Sequence, residues 1–232
     1  TTLSKDGEIV SPNGVRYLSK ERRAGLLPRI LKGLMEERDR IKTEMKGTKD
    51  PKEEHYLDGL QAAVKILMNT FYGVFASSFY RFTDKSIGSS ITAFARNNVK
   101  SIINTLTEEG DSIIYSDTDS IFVRSPAEDL EGSVGYGKGL AERFSKEEET
   151  LVFEKILEPL FTHGKKKRYV GRVVWPKWDD ELLVRGYEIR RSDSFNLQSD
   201  LLMDLFEKIL EEKNEEAVAI VRETIRKVMG GM

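Results

Sequence analysis

One short stretch of the sequence, residues 112–123, constrains the fold more than any other. It reads SIIYSDTDSIFV, so two apolar runs flank a polar centre, Asp117-Thr118-Asp119. Apolar runs around a tight polar middle are typical of a β-hairpin. We therefore predict an antiparallel sheet in which this hairpin presents two carboxylates at its turn.

Apolar residues at helical spacing flank the hairpin on both sides, and residues 1–19 are rich in turn formers. A Gly-to-Pro segment separates the first two predicted helices, which should form an antiparallel hairpin, and Gly73 with the small residues after it should end the second. The predicted fold class is α+β, an antiparallel sheet with helices plus a helical projection. The predicted helices cover residues 20–46, 53–72, 86–108, 138–149, 195–213 and 215–229, and further strands cover 150–154, 168–174 and 181–189.

Composition limits the class of protein but not its function. The 232 residues suffice for one large domain or two modest ones, and a net charge of −2 argues neither for nor against a polyanionic partner. The chain has no cysteine, which excludes disulfides and thiolate metal sites and suits a reducing interior. No apolar run approaches the length of a membrane span, so we expect an intracellular protein with no membrane partner.

The two carboxylates of the hairpin turn are the first candidate site. Asp117 and Asp119 are two positions apart, so both can reach one point beyond the end of the sheet. Carboxylate oxygens suit Mg²⁺, and two such ions can activate an attacking oxygen and stabilise a leaving one. An Asp-Thr-Asp sequence is equally typical of a turn in which the side chains bond local backbone groups, so both interpretations stay open.

A second candidate site lies on the predicted helical hairpin. Lys65, Asn69 and Tyr72 share one helical face, which offers a cation, an amide and an aromatic ring to a nucleoside triphosphate. On the preceding helix, Arg38 falls on the otherwise apolar side, and Lys42 follows it by one turn. The alternative is an ordinary amphipathic helix whose Lys65 lies at the solvated edge.

A third candidate is the basic stretch HGKKKRYVGR at residues 163–172, which contains five Lys or Arg residues. Lys167 and Tyr169 should alternate onto the same face of a strand. A basic and aromatic strand edge suits the backbone and bases of a nucleic acid. Such a stretch is as often a solvated turn.

Together, and in this order, these segments resemble the family B DNA polymerases of archaeal type. Residues 65–73 are similar to the family's motif B, residues 115–120 to its motif C, and residues 167–169 to the K-x-Y motif that holds the primer. Residues 185–193 resemble the passage from palm to thumb. The resemblance covers nearly the whole chain.

The resemblance implies a division into four regions. Residues 1–19 would join the palm to the fingers, and residues 20–75 would form the fingers as a two-helix antiparallel hairpin. Residues 76–190 would form the palm around its antiparallel sheet, and residues 191–232 would begin a helical thumb.

The resemblance also implies the roles of individual residues. Asp119 would ligate both Mg²⁺ ions, Asp117 would be a weaker or accessory ligand, and Glu154 would be an additional acidic residue near the metals. The residues expected to bind the incoming deoxynucleoside triphosphate are Arg38, Lys42 and Lys65 at the phosphates and Asn69 and Tyr72 in the nucleotide pocket. Those expected to bind primer–template DNA are Lys167, Tyr169 and Arg191.

The sequence departs from the family pattern in one important respect. Motif A, an aspartate followed by a Ser-Leu-Tyr-Pro stretch, does not occur in it, and neither do the exonuclease domain or most of the thumb. The chain is therefore similar to the small chain of a split family B polymerase, and we expect a larger partner chain that carries these parts. A fragment of a longer polymerase would look similar. A sliding clamp is a further expected partner, and the nucleoid in the cytoplasm is the expected location.

The function predicted on this basis is the catalytic part of a template-directed DNA polymerase that uses two-metal nucleotidyl transfer. The alternative is a non-catalytic, polymerase-like module for DNA binding or assembly, which the absence of motif A favours. Retention of Asp117 and Asp119 together with the cationic row argues against that alternative. A different palm-type nucleotidyl enzyme, such as a cyclase, is disfavoured by the helix that carries Lys65 and Tyr72.

Overall fold

The structure is a computed structural model, and it describes residues 2–81, 83–146, 149–176, 182–187, 189 and 195–231. Within these ranges the chain forms six α-helices and small antiparallel sheets, which confirms a mixed architecture. None of these helices combines the length and the apolar character needed to cross a membrane. The elements in chain order are β1 (Thr2–Leu3), β2 (Ile9–Val10), β3 (Arg16–Leu18), α1 (Leu26–Gly47), α2 (Pro51–Ala76), α3 (Lys85–Glu108), β4 (Ile113–Asp117), β5 (Ser120–Val123), α4 (Leu130–Phe144), β6 (Ile156–Phe161), β7 (Tyr169–Trp175), β8 (Leu182–Arg185), α5 (Asn196–Leu210) and α6 (Asn214–Met229).

The chain divides into two compact units. The first unit comprises Thr1–Gly110 and Thr118–Ile121, and the second comprises Asp111–Asp117 and Phe122–Met232. The β4–β5 hairpin contributes residues to both units.

The helical hairpin predicted from the sequence is present in the first unit as α1 and α2. Pro51 occupies the first turn of α2, and the Asp50 carboxylate caps that helix by accepting the Lys52 N–H at 3.0 Å. The second helix was predicted to end near Tyr72, but α2 continues through Gly73 and ends at the small residue Ala76, with Ser77 as its C-cap. One glycine in a helix costs only about 1 kcal/mol, which packing can offset.

Residues 2–18 of the first unit are more regular than the turn-rich stretch predicted from their sequence. Its three short strands form an antiparallel sheet in the order β1-β3-β2. Gly7 lies so close to Tyr17 of β3 that a Cβ atom at this position would come within 2.4 Å of the Tyr17 backbone. The buried Ser90 hydroxyl of α3 donates to Asn13 at 3.1 Å, so α3 packs against this sheet.

The second unit has its core between a sheet and a helical pair. Strands β6, β7 and β8 are antiparallel neighbours in that order, with Val170 opposite Val184. The register of β6 shifts around Pro159, as expected for an edge strand that contains proline. The buried side chains of this core are Val170 and Val184 from the sheet and Phe206 and Leu210 from α5.

Two predicted elements of the second unit were misplaced. Residues 150–155 form no strand, and the strand begins instead at Ile156. The helix predicted over residues 138–149 is α4, which begins at Leu130 because the Asp129 carboxylate caps it by accepting the Gly132 N–H at 2.6 Å. Its glycines have low helix propensity, but a Cβ atom on Gly137 would come within 2.3 Å of the Phe153 ring, so this glycine is required by packing.

The predicted strand at residues 181–189 is shorter in the structure. Strand β8 ends at Arg185, and residues 177–181, which include most of the turn predicted before this strand, lie outside the described residues. The following helices, α5 and α6, match the two helices predicted at the end of the chain to within a few residues.

Candidate active site

The turn Asp117-Thr118-Asp119, which we call the acidic turn, joins two paired strands, as the sequence predicted. Strand β4 ends at Asp117, β5 begins at Ser120, and the two strands form a two-stranded sheet. Thr118, between the carboxylates, has φ 42°, in the left-handed region. A β-branched residue is rarely found there, and strained backbone of this kind is concentrated at functional sites.

The two carboxylates of the turn differ in their surroundings. The Asp117 side chain is 27% exposed, and its Oδ2 lies 3.2 Å from the Lys167 Nζ. Asp119 is exposed. Because the Lys167 side chain is 68% exposed, its ion pair with Asp117 contributes less than about 1 kcal/mol and can exchange for another partner.

Lys167 lies in a turn and not, as predicted, within a strand. We call residues 162–168 the basic turn, which joins β6 to β7. Lys167 has φ 66°, and its main-chain N–H donates to the Tyr115 hydroxyl at 2.5 Å. A Cβ atom on Gly186, whose φ is 72°, would lie 1.8 Å from the Lys167 carbonyl oxygen, so only glycine allows this approach.

Three aromatic rings of the second unit form a cluster beside the basic turn. Tyr115 lies 5.4 Å from Phe122 and 5.7 Å from Tyr169, and Phe122 lies 5.1 Å from Tyr169, measured between ring centroids. Burial raises the pKa of Tyr169, and Tyr115 and Glu154 act in the same direction while Arg185 opposes them. The Tyr169 hydroxyl therefore keeps its proton at neutral pH and can act as a hydrogen-bond donor.

Glu154 was expected near the metals. It follows no strand, its side chain is 74% exposed, and its Oε2 lies 3.7 Å from the Lys155 Nζ. Across the described ranges, no group of three or more His, Asp or Glu side chains is arranged to hold a metal ion.

The helical hairpin carries the residues that were predicted to bind the incoming nucleotide. Arg38 of α1 donates through Nε and Nη2 to the Gln61 Oε1 of α2, at 3.2 and 3.0 Å. Gln61 lies one helical turn before Lys65, so this contact brings Arg38 beside the row that Lys65 begins. Lys42 is half-buried. The rest of the row is open to solvent, with Lys65 and Asn69 exposed and Tyr72 at 43% exposure.

Sequence reasoning missed several residues of these sites. Tyr115 is two positions before Asp117, so the period of a strand places both side chains on one face of β4 and was the available signal. Gln61 precedes Lys65 at helical spacing. Arg185 is paired with Tyr169 across β7 and β8. Arg191, expected to contact DNA, lies outside the described residues.

Comparison with known proteins shows which protein family this chain matches. The family model described as DNA polymerase family B matches residues 5–232. The DNA polymerase delta catalytic subunit of Candida albicans is 32% identical over 238 residues, which cover 96% of this chain and 23% of that protein. The DNA polymerase of Thermococcus gorgonarius is 33% identical over 209 residues, covering 88% of this chain and 26% of that one.

A solved structure agrees with this result. The family B DNA polymerase from Pyrobaculum calidifontis matches with a TM-score of 0.67 at 26% identity, over 99% of this chain and 29% of that one. The chain thus spans about a quarter of the length of these relatives.

Proposed function

The chain belongs to DNA polymerase family B, and from this premise we propose that it carries the catalytic part of a template-directed DNA polymerase. The enzyme would add deoxynucleotides to a primer 3′ end by two-metal nucleotidyl transfer. The observation that most supports this proposal is the contact of Lys167 with both Tyr115 and Asp117. It joins the motif C strand to the K-x-Y motif in one unit.

The side chains of the acidic turn suit Mg²⁺ in kind but not in number. Asp117 and Asp119 supply the hard oxygen ligands that this ion prefers. When bound, the ions supply stabilisation for the charge on the reacting phosphate oxygens. Asp119 would be the main ligand on this chain and Asp117 the accessory one, as the resemblance to the family implies. Glu154 stays a predicted additional acidic residue near the metals.

A further carboxylate is needed from outside these residues. The part of the chain that the structure describes lacks a group of three acidic or His ligands, and the sequence lacks motif A. We therefore propose that a motif A strand joins the site from another segment, expected on a larger partner chain. The β4–β5 sheet has two strands, and Ile114 on it is exposed, so strand addition would stabilise it.

The helical hairpin would bind the incoming nucleotide and act as the fingers. Arg38, Lys42 and Lys65 would neutralise the triphosphate, while Asn69 and Tyr72 would line the pocket of the sugar and base. In its contact with α2, Arg38 donates to the neutral amide of Gln61, so that contact does not neutralise its charge. A guanidinium in this state is suited to bind phosphate.

Loss of one cation from this face should weaken nucleotide use selectively. A charge-assisted hydrogen bond to phosphate contributes about 1.5–3 kcal/mol, so Arg38→Ala or Lys65→Ala should weaken productive nucleotide binding about 10- to 150-fold. Single-turnover incorporation against nucleotide concentration measures this in the polymerase assembled with its motif A segment. Arg40→Ala is the matched control, because Arg40 pairs with Glu37 on the exposed side of α1. If Arg38→Ala and Lys65→Ala both left the nucleotide dependence unchanged, the assignment of this face to nucleotide binding would be contradicted.

The basic turn and β7 would hold the primer–template DNA through Lys167 and Tyr169, with Arg191 as a further predicted contact. Lys167→Ala should reduce the slope of log affinity against log salt by about 0.9, because a cation that binds phosphate releases one counterion. Lys227→Ala is the control, since Lys227 pairs with Glu223 at 2.7 Å on α6. A slope that is the same in both variants would indicate that the basic turn is merely solvated.

The second candidate function is a non-catalytic, polymerase-like module for DNA binding or assembly. The absence of a complete metal-binding group among the described residues favours it. It predicts DNA binding that survives the loss of Asp119 and no activity with any partner. A sliding clamp stays a predicted partner, and the proposed place of action is the nucleoid.

A further inference from the structure

Two residues of strand β4 contact the same residue of the basic turn. The Tyr115 hydroxyl accepts a hydrogen bond from the main-chain N–H of Lys167 at 2.5 Å. The Asp117 carboxylate accepts one from the Lys167 ammonium at 3.2 Å. Because the two β4 residues are two positions apart, both side chains project from one face of the strand. One face of β4 thus holds Lys167 at its backbone and at the tip of its side chain.

The backbone of Lys167 needs such support. Its φ of 66° lies in a region that residues with a side chain avoid, and it persists only where the surroundings fix it. Gly186 packs against the Lys167 carbonyl oxygen, and the Tyr115 hydroxyl accepts a hydrogen bond from the Lys167 N–H. Without that hydroxyl, the N–H loses this partner and the turn can relax toward an ordinary conformation.

The same tyrosine also contacts the other residue of the K-x-Y motif. The rings of Tyr115 and Tyr169 lie 5.7 Å apart and are tilted by 54°. Aromatic pairs at this separation attract each other beyond the area they bury. Tyr115 therefore fixes Lys167 through its hydroxyl and Tyr169 through its ring, and the two contacts can be removed separately.

We infer that Tyr115 is a positioning residue for DNA binding: its hydroxyl fixes the backbone of Lys167 and so directs the Lys167 ammonium at the primer backbone. This inference rests on the proposed function, in which Lys167 binds DNA. Tyr115 itself need not contact DNA. The side chain of Lys167 then has two stable positions, on Asp117 without DNA and on a phosphate with DNA.

The test is a double-mutant cycle on the full chain with a primer–template duplex. Tyr115→Phe removes the hydroxyl and keeps the ring, and it should weaken DNA binding about 5-fold, the effect of one neutral hydrogen bond. It should also move the salt slope toward that of Lys167→Ala. Added to Lys167→Ala, the same change should have almost no further effect, because the hydroxyl acts through the side chain that is missing.

Two further measurements separate positioning from a general loss of stability. Tyr136→Phe is the matched control, because it removes a hydroxyl bonded to Asp111 at 2.6 Å in the same unit. It should leave both DNA affinity and salt slope unchanged. Without DNA, the Lys167 amide should exchange its hydrogen faster in Tyr115→Phe than in the wild-type chain, while the amides of β7 and α5 stay protected.

The outcomes of these measurements distinguish the positioning role of Tyr115 from the DNA contact of Lys167. Equal losses from Tyr115→Phe in the presence and absence of the Lys167 side chain would overturn the positioning role and leave the DNA contact of Lys167 intact. No effect of Tyr115→Phe would do the same. If Lys167→Ala itself changed neither affinity nor salt slope, the proposed DNA contact would fail, and the role of Tyr115 with it.

Discussion

Asp119→Ala is expected to lower the rate of nucleotide incorporation by at least three orders of magnitude, roughly 4 kcal/mol of transition-state stabilisation. The proposed reason is that Asp119 is the main metal ligand of this chain. Asp117→Ala should cost less, because Asp117 is the proposed accessory ligand. Single-turnover kinetics of the polymerase assembled with its motif A segment measure both effects.

A control is needed because either aspartate is also part of a tight turn. Asp129→Ala removes a carboxylate that lies outside the acidic turn and caps α4 through the Gly132 N–H at 2.6 Å. Loss of such a cap costs about 1 kcal/mol of stability and should leave the rate unchanged. Equal and mild losses of rate for Asp117→Ala and Asp119→Ala would mean that the turn is structural.

The strongest local patterns of the sequence predicted their structures well. The apolar runs around Asp117 and Asp119 predicted the β4–β5 hairpin, since two short apolar runs beside a tight polar turn are typical of paired strands. The helical period and the Gly-to-Pro segment at residues 47–51 predicted the α1–α2 hairpin. In both cases the signal lies within a few neighbouring residues, so no distant contact was needed to decide the structure.

The sequence-based predictions failed where contacts between distant residues decide the structure. The glycines of α4 argue against a helix, but Gly137 packs against the Phe153 ring, which local propensity does not report. The run Thr150–Glu154 has strand composition, yet the pairing with β7 begins at Ile156. Tyr115 and Gly186 act on Lys167 from remote positions in the sequence, and that contact became visible only in the fold.

The second large effect expected is that polymerase activity depends completely on the addition of a strand that carries motif A. Two-metal nucleotidyl transfer needs carboxylates that converge from more than one strand, and this chain offers Asp117 and Asp119 in a single turn. The 232-residue chain alone should have no measurable polymerase activity and should tend to self-associate through its open sheet edge. Addition of the segment with motif A should restore activity and form a stable complex that buries about 2,000 Å² or more.

A matched pair of complexes makes the restoration specific. The added segment is used once with its motif A aspartate and once with that aspartate replaced by asparagine. Both forms should bind this chain equally, because the strand pairs through its backbone, and only the first should restore incorporation. Restoration by both forms would mean that the added segment supports folding and contributes no metal ligand.

The most direct test of the catalytic assignment is primer extension by the purified chain, alone and after addition of the motif A segment, with contaminating polymerases and nucleases excluded. From the catalytic assignment we expect no extension by the chain alone, extension by the complex, and none by the complex with Asp119→Ala. Extension by the 232-residue chain alone, or undiminished extension by the Asp119→Ala complex, would contradict it.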